Sequence, residues 1–392
     1  MNKKYDSLEK KLIEDFKKRF MVKPEVVSSA PGRINIIGEH TDYNKGFVLP
    51  AAIDRRIYFL ASSRADDKVV IRAENFEEED SFDLPVSSKL EIKKWSNYIR
   101  GVLWVLNKQG EKLSGLNILI YGEVPLEAGL SSSAALEVSC ITGLNSLYNM
   151  GFSPEEIAKI GQKAENDFVG VKCGLMDQFI SVFGRKNSAV FLDCLTLEYK
   201  IIPFELKSRD LSIVIYNTRV KRKLAGSEYN KRRSEANSAL DELKKNGIQS
   251  FRDISVVEIE KRKKNLGEKL FKRAKHVVSE NYRVKKALEA LKNNDFIQLG
   301  KLLFFSHESL RDDYQVSCPE LDLLYECGRR APSCLGARMT GAGFGGSGIA
   351  IVREETKNNF KDLVLKEAEK KGFVKPEFYD VEIGEGARAF QA

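Results

Sequence analysis

The stretch "LNILIYGEVPLEAGLSSSAALEVSCITGLNSLYNMG", residues 116–151, constrains the fold more than any other segment. Its opening run of β-branched and apolar residues reads as a strand that closes at Pro125. Leu136, Cys140, Leu144 and Leu147 then recur at helical spacing, which predicts a buried helix. A strand led through a glycine–serine loop straight into a buried helix belongs to chains that pack helices on sheets. The loop "EAGLSSSAA" (127–135) is also a candidate phosphate site. Gly129 allows close backbone approach, and three serines bring hydroxyls and N–H groups to the positive end of the helix. A Ser-rich N-cap without ligand is the alternative. Neither GxxxxGK[ST] nor GxGxxG is present, so a nucleotide bound here would sit in a different architecture.

The rest of the chain extends this mixture. The opening residues "MNKKYDSLEKKLIEDFKKRF" place Leu8, Leu12 and Phe16 at helical spacing. Strands are predicted at "RRIYFLASSR", "KVVIRAENF", "LSIVIYNT" and "SGIAIVRE", and helices at "SEYNKRRSEANSALDELKKNG", "YRVKKALEALKN" and "FKDLVLKEAEKKG". "SPEEIAKIGQKAENDFVG" carries its own start signals, Ser153 as N-cap, Pro154 in the first turn and Glu156 completing a capping box, with Gly170 as the stop. A chain of 392 residues is long for one core. No repeat or long linker interrupts it, so the expectation is an α+β chain of two apposed domains, 1–190 and 191–392.

Polar chemistry concentrates in a few places. In "APGRINIIGEHTDYNKGFVLP" (30–50), Glu39, His40 and Asp42 accept and donate several hydrogen bonds within four residues, as a polyol requires. A metal site is the rival reading, and a weak one, because His276 and His307 lie in helical contexts that read as structural. Arg33 would set a guanidinium beside an acidic base and a transferring phosphoryl group. In "CGLMDQF" (173–179), Asp177 is either a satisfied structural carboxylate or a base in a partly desolvated site. Glu165, with a serine hydroxyl, offers the sparse oxygen set that suffices for Mg²⁺. "TGAGFGGSG" (340–348) has too many glycines for a regular element and reads as a loop packed against something close. It is either a tight glycine turn or the second face of a cleft shared with residues 127–135.

Composition excludes several function classes. The net charge of +8 suits anionic ligands, but the basic runs alternate with acids and lack interleaved aromatics, so no nucleic-acid role is expected. Six cysteines without CxxC spacing read as reduced thiols. No apolar run reaches membrane-spanning length and no signal-peptide pattern opens the chain, so a cytoplasmic location without membrane partners is expected.

"GRINIIGEHTDYNKGFVLP", "EAGLSSSAALE" and "MTGAGFGGSG" resemble, in order, the three signature motifs of the GHMP kinases (galactokinase, homoserine kinase, mevalonate kinase, phosphomevalonate kinase). The first is closest to the galactokinase form, and the resemblance continues through "KKWSNYIRGV", "AENDFVGVKCGLMDQF", "GSEYNKRRSEA" and "SLRDDYQVSCPELD". It implies a two-domain α+β fold, with an N-terminal domain like the second domain of ribosomal protein S5 and a ferredoxin-like C-terminal domain, and the active site in the cleft between them. It further implies phosphorylation of the anomeric hydroxyl of α-D-galactose by ATP and Mg²⁺. By the same resemblance Asp177 is the base and Arg33 the charge stabiliser, while Glu39, His40, Thr41, Asp42, Gly174 and Tyr229 bind the sugar. Glu127, Ala128, Gly129, Leu130, Ser131, Ser132 and Ser133 form the phosphate loop, Ser133 and Glu165 hold the metal, and Trp95 and Tyr98 form the adenine pocket. Ala73 stands where many galactokinases have Ser, and Ser347 where they often have Cys. A kinase for N-acetylgalactosamine or arabinose, a non-catalytic sugar and ATP sensor, and an S5-like RNA binder are the alternatives. A monomer with small-molecule substrates is expected.

Overall fold

The computed structural model describes residues 6–91, 95–126, 128–220 and 225–391. The first half runs α1 (Ser7–Phe20), β1 (Val26–Ile37), β2 (Phe47–Ser63), β3 (Lys68–Ala73), β4 (Glu78–Asp83), α2 (Ser96–Lys108), β5 (Leu116–Gly122), α3 (Ser132–Tyr148), α4 (Pro154–Lys163), α5 (Met176–Phe183), β6 (Ser188–Asp193) and β7 (Tyr199–Pro203). The second half runs β8 (Leu211–Asn217), α6 (Ala225–Lys244), α7 (Val256–Lys261), α8 (Lys263–Lys292), α9 (Phe296–Ser309), α10 (Pro319–Arg330), β9 (Cys334–Thr340), β10 (Ser347–Arg353), α11 (Lys357–Lys370), β11 (Glu377–Asp380) and β12 (Arg388–Gln391). No helix among the described residues is long and apolar enough to cross a membrane.

Two sheets organise these elements. The first has the order β12-β1-β2-β5-β3-β4, with β6 paired to β2 and β7 to β6; the second has the order β11-β8-β10-β9. The sheets part between Pro203 and Leu211 rather than at 190, because β6 and β7 extend the first sheet, and β12 returns to it from the far end of the chain. On its outer face, Leu12 and Phe16 of α1 seal against Val27, Tyr58, Leu60 and Leu119. Asp6 and Glu9 close the start of α1 with a reciprocal capping box. The inner face carries α3, the buried helix predicted through Leu136, Cys140, Leu144 and Leu147. It crosses so close that a Cβ at Gly143 would lie 2.6 Å from Ser28 Oγ and 2.8 Å from the Phe59 ring, a depth that only glycine permits.

The second sheet shows why its sequence reads as unbroken apolar runs. Ile213, Ile215, Ile349 and Ile351 belong to the core shared with α8 and α9, while Val214, Tyr216, Ala350 and Val352 join α10 and α11 on the opposite face. A sheet covered on both faces has no polar side to display. The main core is continuous from α3 and the first sheet through Val284, Ala287, Leu299 and Leu303 of α8 and α9 into the second sheet, so the halves are fused by packing.

Buried histidines pin this junction. His276 of α8 joins the Glu39 carbonyl (3.1 Å) and Ser309 Oγ (2.9 Å), and His307 takes the Met339 N–H at Nδ1 while pairing Nε2 with Asp322 (3.0 Å). Both serve structure, as their contexts indicated. Burial, outweighing the nearby Glu280 carboxylate, draws His276 from its ordinary 6.5 down to about 4. The unfolded chain therefore takes up this proton below pH 6.5 and the folded chain only near pH 4, so stability falls as pH drops through that window, by roughly 3 kcal/mol for this group. Urea unfolding at pH 7.5 and pH 5 checks this: His276→Gln loses less stability between the two than the parent does, and equal losses would contradict it.

Candidate active site

The segment 30–50 is a β-hairpin whose two register shifts, between Pro31 and Arg33 and between Asn35 and Ile37, bend β1 where it carries Arg33. Bulges of this kind turn side chains out of the regular alternation. Arg33 lies against α5, where Asp177 occupies the first turn. Arg33 Nε donates to Asp177 Oδ1 at 2.8 Å and Nη2 to Oδ2 at 2.6 Å, a two-point ion pair, while Nη1 donates to the Gly129 carbonyl at 2.7 Å. Ser131 Oγ also donates to Asp177 Oδ2. Burial works against the Arg33 charge, but the Asp177, Glu39 and Asp42 carboxylates outweigh it and hold its pKa above the ordinary value.

Arg33 and Asp177 line a cavity of about 520 Å³ with two chemically distinct ends. At one end are Glu39, His40, Asp42, Tyr43, Gly174 and Tyr229. Glu39 is almost fully buried, and Oε1 accepts from the Gly341 amide (2.7 Å) and the Thr340 hydroxyl (3.1 Å). His40 pairs Nδ1 with the Tyr43 hydroxyl at 2.7 Å, and its ring lies 5.6 Å from that of Tyr229. Its Nε2 approaches the backbone of Ala342 without a well-formed hydrogen bond. Burial draws His40 down to about 3, so it is a neutral ring. Enclosure, reinforced by the Asp177 carboxylate, pushes Asp42 up to about 7. A Cβ at Gly174 would collide with the Asp42 carboxylate, so Gly174→Ala displaces that group. Steady-state kinetics should show the sugar KM of Gly174→Ala raised roughly 10- to 100-fold with the nucleotide KM unchanged, the usual scale for a contact moved by about 1 Å. An unchanged sugar KM would contradict the placement.

The other end is an apolar slot formed by Ile57, Ala73, Phe76, Trp95, Tyr98, Ile120, Tyr121 and Leu126. Trp95 Nε1 is held by Glu78 at 2.7 Å. The start of α3 joins the two ends. Ser131 is left-handed (φ 61°, ψ 45°) and caps nothing with its side chain, so the first-turn amides are left to a ligand, and Ser132 and Ser133 line the cavity. Opposite them is Glu165, buried in a π-helical turn, Ala164–Val169, that continues α4. Its carboxyl accepts from Gln178 at 2.8 Å, and burial together with the Asp177 carboxylate pushes it up to about 7. π-turns of this kind recur at functional sites.

Four of the expected site residues turn their side chains to other partners. Thr41 is fully buried and donates its hydroxyl to the Gly38 (2.8 Å) and Phe47 (2.7 Å) carbonyls, so it shapes the hairpin loop instead of lining the cavity. Ala128 and Leu130 point into the core, because the loop wraps Arg33 through the Leu130 carbonyl and Arg33 amide (3.0 Å). Ser131 spends its hydroxyl on Asp177, which leaves only its backbone for a phosphate. Glu127 lies outside the described residues. Ile57, Phe76, Tyr121 and Leu126 went unassigned in the sequence, since apolar slot residues have the pattern of a buried core, and Tyr43 at the polar end went unassigned too. Arg338 was missed too, although a lone arginine in "CLGARMT" was a usable signal of a buried charge with partners.

Comparisons with known proteins agree with this geometry. Residues 97–185 match the GHMP kinases N-terminal domain, 287–369 the GHMP kinases C-terminal domain, and 14–63 the galactokinase galactose-binding signature. The galactokinase of Thermotoga petrophila is 43% identical over 92% of this chain and 98% of its own. That of Staphylococcus carnosus is 43% identical over 94% and 96%. The crystal structure of Lactococcus lactis galactokinase complexed with galactose superposes with a TM-score of 0.93 at 41% identity, covering 97% of this chain and all of that one (100%). Methanococcus jannaschii mevalonate kinase shares the fold, with a TM-score of 0.66 at 19% identity over 92% and 98% of the two chains. Motifs, two-sheet architecture and relatives of full length converge: the chain belongs to the galactokinases of the GHMP kinase family.

Proposed function

We propose that this chain transfers the γ-phosphoryl group of ATP to the anomeric C1 hydroxyl of α-D-galactose, releasing galactose 1-phosphate and ADP. The observation that carries the reading is the Arg33–Asp177 pair, open to a cavity between a polar cluster suited to a polyol and a helix start suited to phosphates. Asp177 accepts the proton of the C1 hydroxyl as the oxygen attacks. Arg33 orients that carboxylate and stabilises charge on the phosphoryl oxygens. Phosphoryl transfer asks mainly for positioning and electrostatic stabilisation, because its transition state is loose. Transfer is direct and in line, with no phospho-enzyme.

The sugar is read by Glu39, His40, Asp42 and Tyr229, with Gly174 leaving room for Asp42. A site built around particular hydroxyls rejects an epimer by leaving buried groups unpaired. The nucleotide base occupies the slot of Trp95, Tyr98, Phe76 and Tyr121, and the amides of Ser132 and Ser133 receive the phosphates. Ser133 and Glu165 offer a hydroxyl and a buried carboxylate, an all-oxygen set that fits Mg²⁺ arriving with the phosphates, and no group of three or more His, Cys, Asp or Glu competes among the described residues. When bound, Mg²⁺ supplies charge neutralisation at the β- and γ-phosphates.

A coupled ADP-release assay across galactose, N-acetylgalactosamine, arabinose and glucose tests the reading. The expected ranking has galactose first in kcat/KM, with glucose lower by at least about 10²-fold. No turnover on any sugar despite binding would make the chain a sensor, and a higher kcat/KM for another sugar would reassign the substrate.

A further inference from the structure

Glu39 is the sugar-side carboxylate most tightly built in, and the groups that hold it all come from the second sheet. Its Oε1 receives the Gly341 amide (2.7 Å) and the Thr340 hydroxyl (3.1 Å), a hydroxyl that also lies 3.3 Å from the Asn35 carbonyl and accepts the Asn35 amide at 3.1 Å, and Arg338 Nη2 forms an ion pair with Oε1 at 3.3 Å. Arg338 is fully buried, and its Nη1 grips the carbonyls of Asn35 and Ile36, both at 2.9 Å, on the strand that leads into Glu39. Gly341 reaches Glu39 with φ 83°, and a Cβ there would lie 2.8 Å from the Gly129 carbonyl.

We propose that the glycine-rich segment 340–348 serves the sugar through Glu39, with Arg338, Thr340 and the Gly341 amide as positioning groups. This rests on the reading that Glu39 contacts galactose. A carboxylate has about four acceptor positions on two oxygens. With Oε1 held by two hydrogen bonds and the nearby Arg338 charge, Oε2 is left for the ligand in one rotamer, so binding costs little further ordering. Arg338 supplies the opposite charge that a buried carboxylate requires. The sugar end of the cavity is therefore complete only when the two halves are packed together.

Thr340→Val, which keeps the shape and removes the hydroxyl, tests this beside Thr340→Ser, which restores it, and Glu39→Gln. Steady-state kinetics use ATP with galactose and its 2-, 3-, 4- and 6-deoxy forms, all of which keep the reacting C1 hydroxyl. Thr340→Val is expected to raise the galactose KM about 10-fold, the scale of a lost hydrogen bond to a charged group, with kcat within about 3-fold and the ATP KM unchanged. Thr340→Ser recovers the parent KM. Thr340→Val and Glu39→Gln both shrink the penalty against the same one deoxy sugar, an effect that general loosening does not produce. Should valine crowd the site, Thr340→Ala is read in the same way. A raised ATP KM with an unmoved galactose KM would overturn the proposal. If Glu39→Gln weakens galactose and Thr340→Val does not, the positioning role fails alone. If Glu39→Gln leaves galactose and every deoxy sugar unchanged, the sugar reading of Glu39 fails instead.

Discussion

Asp177→Asn is expected to lower kcat by about 10³-fold or more, within the range attributed to general bases, while galactose binding measured by calorimetry stays within about 3-fold of the parent. The amide is the same size, and with its oxygen in the Oδ2 position it still accepts from Ser131 and Arg33 Nη2, while its NH₂ gives up the hydrogen bond from Arg33 Nε. What disappears is the carboxylate proposed to receive the proton as the C1 oxygen attacks. The proposed sugar contacts come from Glu39, His40, Asp42 and Tyr229, none of which is held by Asp177 in a hydrogen bond. A variant with kcat within about 10-fold of the parent would remove Asp177 from the role of base.

Arg33→Lys is expected to cost about 10²- to 10³-fold in kcat despite conserving the charge, because lysine has no planar fork. Arg33 makes three hydrogen bonds in one plane, two to Asp177 and one to the Gly129 carbonyl, and so couples the base to the phosphate loop. A lysine ammonium meets one carboxylate oxygen at a time and cannot hold that carbonyl as well. Arg33→Met goes further and leaves Asp177 without its ion-pair partner and removes the cation that Glu39 and Asp42 also face. Because the two residues act as a unit, Arg33→Met combined with Asp177→Asn is expected to be hardly slower than the slower single variant. Multiplying losses would mean that the residues contribute independently.

The sequence exposed the parts of this site whose chemistry is locally dense. Arg33, Glu39, His40 and Asp42 stand out because polar groups between glycines have no other employment, and Ser153, Pro154 and Glu156 announced the helix that brings Glu165 to the cavity. The two sheets were legible from β-branched runs, and so was the helix that buries Leu136, Cys140 and Leu144. Other features depend on three-dimensional context. Which hydroxyl of Ser131, Ser132 and Ser133 turns to Asp177 follows from the left-handed backbone of Ser131. The π-turn at Glu165 leaves the apolar spacing of Ile157, Ile160, Ala164 and Phe168 looking like continuous helix. Thr41 and Leu130 sit inside motifs, where adjacency to functional residues says nothing about which way a side chain points. That the two sheets part after β7 was not legible, because β6, β7 and β12 join the first sheet through pairings that composition does not record.

The central claim is direct transfer from ATP to the sugar oxygen at the Arg33–Asp177 pair. The stereochemical course at phosphorus tests it most directly, using ATP made chiral at the γ-phosphate with oxygen isotopes and galactose as acceptor. A single in-line displacement predicts inversion of configuration in galactose 1-phosphate. Retention would require two displacements through a phosphorylated protein group, and would contradict the account.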